Sequence, residues 1–227
     1  MTPTPTVTAT PTFDHFQCYE THRSSINLPG VSVADQFGPS TVTLKRNKRL
    51  CAPADKNGED PTAPSHPGHH TFYTIKQTTP KFAKVRGVTL SNQFGTFVFD
   101  VTKPDRLLVP TAKSLTGIPP SLGVPMNHFK CYRVAGVKFR AFGLQIEDQF
   151  GSLTVDIKKP THLCVAANKN NEGVVDATSH LMCYQDRIAS GAVMHPQPAQ
   201  IFTNNQFGTD VYPIFGPRDF CVPSTIQ

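Results

Sequence analysis

Tryptophan is absent from the 227 residues, and charged side chains make up only 17% of them. The missing Trp argues against a flat binder of crystalline polysaccharide, which needs a strip of planar rings. Long Ala/Leu/Glu/Lys stretches, the usual material of helices, are missing too. No apolar run approaches the roughly 20 residues that a helix needs to cross a bilayer, so membrane insertion is not expected. No basic and then apolar leader follows Met1, and the chain reads as cut from a longer one. GxSxG, HExxH, P-loop and GxGxxG signatures are all absent. Carboxylates are few and unmatched between the halves, so a glycosidase pair has no obvious members. No catalytic residue is assigned, and no enzyme is expected. The net charge is +6, and its densest run is Lys45-Arg46-Asn47-Lys48-Arg49. No aromatic interleaves that run, and the rest of the chain does not echo it, so it reads as a solvated turn rather than a nucleic-acid surface.

What the chain does have is Val, Thr, 16 Phe and 21 Pro, a composition of strands and turns. Residues 2–12 read TPTPTVTATPT. Pro fixes φ and removes a donor, so this segment (1–12) is extended, either a linker or an arm that docks on a neighbouring chain by self-association.

The dominant pattern is a fourfold repeat. Asp35-Gln36-Phe37-Gly38 returns as Asn92-Gln93-Phe94-Gly95, Asp148-Gln149-Phe150-Gly151 and Asn205-Gln206-Phe207-Gly208, at intervals of 57, 56 and 57 positions. Thirteen positions after each Gly comes a second match: Cys51, Leu108, Cys164 and Cys221. Upstream lie Cys18-Tyr19, Phe72-Tyr73, Cys131-Tyr132 and Cys183-Tyr184, each preceded at three positions by a His (15, 69, 128, 180). The first and third copies share Asp before QFG and polar loops, DKNGED and NKNNEG; the second and fourth share Asn. The stronger period is therefore two copies, 113 positions from Cys18 to Cys131. It predicts an all-β fold of two tandem units, 13–124 and 125–227. Each is a pseudo-twofold pair of half-repeats (13–68 with 69–124, 125–179 with 180–227) forming a small sandwich or barrel. The boundary falls in the Pro/Gly-rich segment Thr116–Pro125.

Copies one, three and four have both cysteines, and copy two has neither. Joint loss and joint retention are what bonded pairs require, so the pairing is Cys18–Cys51, Cys131–Cys164 and Cys183–Cys221. No CxxC exists to suggest a zinc ribbon. Three disulfides place the chain outside the cytosol. In each QFG, Asp or Asn first and Gly fourth suit a type I turn. The short side chain bonds backbone two residues on, and the Gly takes positive φ. Phe37, Phe94, Phe150 and Phe207 are expected to fold back as plugs; the rival reading is a four-valent site displaying Phe and Gln. The four repeated histidines read as backbone partners. The HPGHH cluster (His66, His69, His70) has spacing that fits no standard metal pattern. Asp55, Asn57 and Glu59 in DKNGED place oxygens at alternate positions, as calcium loops do.

The pattern H-F-x-C-Y, then D/N-Q-F-G, then K-P-x-x-L-C-V-P, matched here by His15–Tyr19, His128–Tyr132, the four turns and Lys159–Val165, resembles an uncharacterised repeat domain of secreted proteins from environmental bacteria. The resemblance implies an extracellular, disulfide-bearing module and no particular activity. The cysteine-free second copy and Gly216 in place of Lys depart from it. The expected role is a non-catalytic binding or adhesion module whose partner is an extracellular polysaccharide or surface protein. The alternatives are a structural subunit of a filament or surface layer, or a secreted hydrolase with a site in loops. No cofactor is assigned beyond the calcium candidate.

Overall fold

The computed structural model describes residues 15–194 and 197–227; the extended segment read at positions 1–12 lies outside them. The described residues form thirteen strands: β1 (His15–Thr21), β2 (Ser25–Asp35), β3 (Gly38–Lys56), β4 (His69–Thr79), β5 (Val85–Asn92), β6 (Gly95–Ser114), β7 (His128–Ala135), β8 (Ala141–Asp148), β9 (Gly151–Lys169), β10 (His180–Ile188), β11 (Ile201–Asn205), β12 (Gly208–Tyr212) and β13 (Ile214–Ile226). The all-β reading holds.

Eight of these strands close into one antiparallel barrel. Pairing runs β1–β3–β4–β6–β7–β9–β10–β13 and returns from β13 to β1. Alternation along each strand then sorts the side chains. At mid-height, Cys18, Cys51, Phe72, Leu108, Cys131, Cys164, Cys183 and Cys221, one from each stave, meet in a single buried cluster. Residues from all eight staves touch one another only if they point inward. The residues beside them, among them Tyr19, Leu50, Tyr132, Leu163, Tyr184 and Phe220, point outward and join a different cluster with hairpin residues such as Leu144, Ile146 and Val155. Tyr73 and Leu107 do the same with Val31, Val33 and Leu44.

The three disulfides bond as expected, at sequence separations of 33, 33 and 38. Each joins residues directly opposite across a ladder, and Phe72 sits opposite Leu108 in the same register. The apolar pair of the second copy thus fills the place of a fourth cystine.

Strands of 19 and 20 residues such as β3, β6 and β9 serve two layers. One half is a barrel stave, and the other half pairs with a hairpin strand outside it. Register shifts, for example at Leu44/Arg46 and Asn47/Arg49, let the strand bend between its two roles.

This closure corrects the two-unit reading. The Thr116–Pro125 segment does not separate one core from another, because β6 pairs with β7 across it over seven positions and β13 pairs with β1 over five. All four hairpins also dock across the expected boundary: β2 on β9, β5 on β13, β8 on β3 and β11 on β6. The repeats interlock with their opposites, first with third and second with fourth.

Candidate functional site

The QFG turns are where the interlock is made. The turn carboxylate or amide oxygen accepts the Phe N–H two residues on: Asp35 from Phe37 at 2.7 Å, Asn92 from Phe94 at 2.8 Å, Asp148 from Phe150 at 2.7 Å and Asn205 from Phe207 at 2.9 Å. The glycines have φ of +106°, +121°, +130° and +117°, which a Cβ would strain. The same Asp or Asn then reaches the Tyr of the opposite repeat. Tyr132 donates to Asp35 and Tyr19 to Asp148, both at 2.6 Å, while Asn92 donates to Tyr184 at 2.9 Å and Asn205 to Tyr73 at 3.1 Å. Each Phe packs edge-on against that Tyr, with ring centroids 4.9–5.4 Å apart. Phe37, Phe94, Phe150 and Phe207 are therefore plugs and not a displayed set. Burial pushes the Asp148 carboxyl up to about 7.

The turn glutamines were missed as partners of the repeated histidines. Gln93 bonds the His15 ring, Gln149 the His69 ring and Gln206 the His128 ring, each joining a turn to the preceding repeat. The signal was available: two polar positions, each invariant across four copies, are candidates to meet. Burial lowers His15 and His128 to about 4 and His69 to about 3, so the rings are neutral acceptors.

The calcium candidates form a clasp instead of a cage. Asp55 accepts the Asp60 N–H at 2.9 Å, Asn57 accepts the Gln145 N–H at 3.0 Å, and Glu59 pairs with Lys56. The third copy repeats this with Asn168 to Gly173, Asn170 to Ser32, and Lys169 with Glu172. Each loop thereby grips the hairpin of the opposite repeat. HPGHH disperses as well: His69 turns to the Pro67 carbonyl at 3.0 Å and His70 to the Asn127 carbonyl at 2.9 Å. Among the described residues no three His, Cys, Asp or Glu side chains converge as metal ligands.

The strongest functional candidate lies at one mouth of the barrel, on inward positions one layer beyond the disulfides. A cleft of about 450 Å³ opens there, lined by Arg49, Arg106, Arg133, Arg218, Lys159 and His162, with Asp219 as its acid. Arg49 and Arg106 share the Asp219 carboxylate, Arg106 at 3.2 Å. Both guanidiniums lie over the Phe72 ring, at 5.4 and 4.4 Å, so the residue that replaces a cysteine provides their seat. Asp105 takes Arg133 and, at 3.0 Å, the Nε2–H of His162; Glu20 takes Arg218 at 2.9 Å. Burial would raise Asp105, but His162, Arg133 and Arg106 outweigh it and hold the carboxyl well below its usual range. Burial and the neighbouring Arg49 push Arg106 down, as crowded positive charge does. Burial and Arg106 lower His162 to about 3, and its Nδ1 is a buried acceptor without a partner. Arg133 and Arg218 keep more than half of their side chains exposed. The arrangement can hold a carboxylate, sulfate or phosphate group by bidentate and charge-assisted bonds.

This set is not marked by sameness between the copies. The position two before the second anchor is Arg49, Arg106, His162 and Asp219: polar in every copy, but not one chemistry throughout.

Three disulfides point to an oxidising, extracellular setting, and no helix among the described residues is long and apolar enough to cross a membrane. No curated protein and no solved structure matches the chain. A family model described as a repeat of unknown function matches residues 69–210. The interlocked, disulfide-stapled barrel therefore belongs to that repeat family, DUF7450.

Proposed function

We propose that the protein is a non-catalytic extracellular binding module, and that its basic mouth takes an acidic group of a polysaccharide or of other cell-surface material. The observation that carries this reading is the gathering of four Arg and one Lys around a cleft that three carboxylates, Asp105, Asp219 and Glu20, do not neutralise. A planar carboxylate or sulfate on a sugar fits the Arg fork better than a neutral ring does. The non-catalytic reading is supported by the one His–carboxylate pair at the mouth. His162 leans on Asp105, but the adjacent Thr161 hydroxyl donates to the Cys183 carbonyl at 3.0 Å and is not poised as a nucleophile.

The test is titration of the full chain with a uronic-acid or sulfated oligosaccharide and with its neutral counterpart. Binding should be confined to the acidic sugar, weaken as salt rises, and fall at least about tenfold in Arg133→Ser/Arg218→Ser, whose side chains are exposed enough to leave the fold intact. Equal binding of the neutral sugar, or of the double variant, would refute the site.

A further inference from the structure

We propose that Lys130 and Asp35 condense into an intramolecular amide, a covalent tie between the first and third repeats that no disulfide provides. The position just before the first anchor is Gln17, Thr71, Lys130 and Met182, so only the third copy carries an amine there. Lys130 lies on β7 and points outward, toward the turn of the opposite repeat. Its Nζ is 3.7 Å from Oδ2 of Asp35, and the two side chains are 1% and 0% exposed. A second departure from the repeat meets the first. Ser40 stands two residues after the turn Gly, where the other copies have Phe97, Leu153 and Asp210. Ser40 donates its hydroxyl proton to the Val33 carbonyl at 2.9 Å, so toward Nζ, 2.7 Å away, its oxygen can only accept. That leaves the Nζ lone pair free of Ser40.

An ammonium has no lone pair, and a carboxylate is a poor electrophile, so condensation needs the amine and the acid uncharged. Burial favours that form of each. It lowers Lys130, against the pull of Asp35, and it raises Asp35, against Lys130 and the Tyr132 hydroxyl. A desolvated lysine is an activated nucleophile, and two groups held together react as if at very high concentration. The Nζ lone pair attacks Cγ of Asp35. The C–N bond forms, one C–O bond breaks, and the leaving hydroxyl takes an Nζ proton and departs as water, with no oxidant or reductant required. The product finds its hydrogen-bond partners in place. The remaining amide N–H keeps Ser40 Oγ as acceptor, and the carbonyl oxygen is served by the Phe37 N–H, 2.7 Å from Oδ1, or the Tyr132 hydroxyl, 2.6 Å from Oδ2. The rings of Phe37, Phe82 and Tyr132 pack together at this turn, with centroids 4.9–6.2 Å apart. A site so closed to water also protects the amide from hydrolysis.

The experiment is the intact mass of the full chain after reduction of its disulfides, followed by tryptic mapping. The chain should be lighter than its sequence by the mass of one water. Trypsin should leave Lys130 uncut and release a branched peptide joining residues 24–45 to residues 114–133. Lys130→Met, which copies the fourth repeat, should have its full sequence mass and no branched peptide. The full sequence mass in the wild-type chain, a water loss that maps to any other residues, or the same water loss in Lys130→Met overturns the proposal. If Lys130→Met does not fold, the wild-type mass and the branched peptide alone decide.

Discussion

Cutting the chain at residue 125 gives the most direct test of barrel closure. The fragment 126–227 keeps four staves and two disulfides but loses the β6–β7 and β13–β1 ladders. It also loses the ring partners of Phe129, Tyr132, Phe150, Tyr184 and Phe220, which are His70, Phe37, Tyr19, Phe94 and His15. At about 2–3 kcal/mol for each aromatic uncovered, the loss is on the order of 10–15 kcal/mol, as large as the whole stability of a typical domain. Disulfides constrain the unfolded chain, but they do not cover these faces. The fragment should show no cooperative thermal melt as a monomer. It should unfold, or pair with a second copy to rebuild eight staves. Calorimetry alongside sedimentation velocity reads the outcome. A cooperative melt from a monomeric fragment with both native disulfides would sink the single-barrel account.

Two further outcomes are expected from the turns. Gly95→Val, at φ +121°, should cost about 1–3 kcal/mol, whereas Gly123→Val, with no positive φ and nothing within 4 Å of its Cβ position, should cost little; equal melting temperatures would contradict the turn geometry. Asp148→Asn copies the second and fourth repeats and should isolate one titration. Burial raises the folded-state carboxyl to about 7, above its unfolded value near 3.9. The wild type therefore loses stability relative to the variant as pH rises through about 4 to 7. Denaturant midpoints of the two proteins should diverge across that window, and a constant difference would show that Asp148 does not titrate there.

Local structure was legible because its causes are local. Asp35 and Gly38 announce an Asx-stabilised turn, Val31-Ser32-Val33 announces a strand with one buried face, and the replacement of both cysteines together by Phe72 and Leu108 in the second copy announces which cysteines bond. The ring was not legible because the two-copy period has two possible origins. Tandem units would produce it, but so does the contact of each turn with the opposite repeat: Asp35 and Asp148 serve one pair, Asn92 and Asn205 the other. The polar loops at Asn57 and Asn170 follow the same rule, each gripping the opposite hairpin. The basic mouth stayed hidden because Arg49, Arg106, His162 and Asp219 share a position and not a residue type. Repetition records what holds the barrel, and departures from it record what one mouth is lined with.

The β1–β13 seam has a mechanical consequence. The two strands run antiparallel, and both His15 and Ile226 lie at the rim opposite the arginine-lined mouth. A pull on the two ends of the chain therefore loads the seam in the unzipping direction, where the ladder bonds break one after another instead of sharing the force in shear. The ring should open at modest tension while the three cystines keep each cysteine-bearing repeat stitched. The arginine-lined rim faces away from both His15 and Ile226, and so lies at the end that opens last.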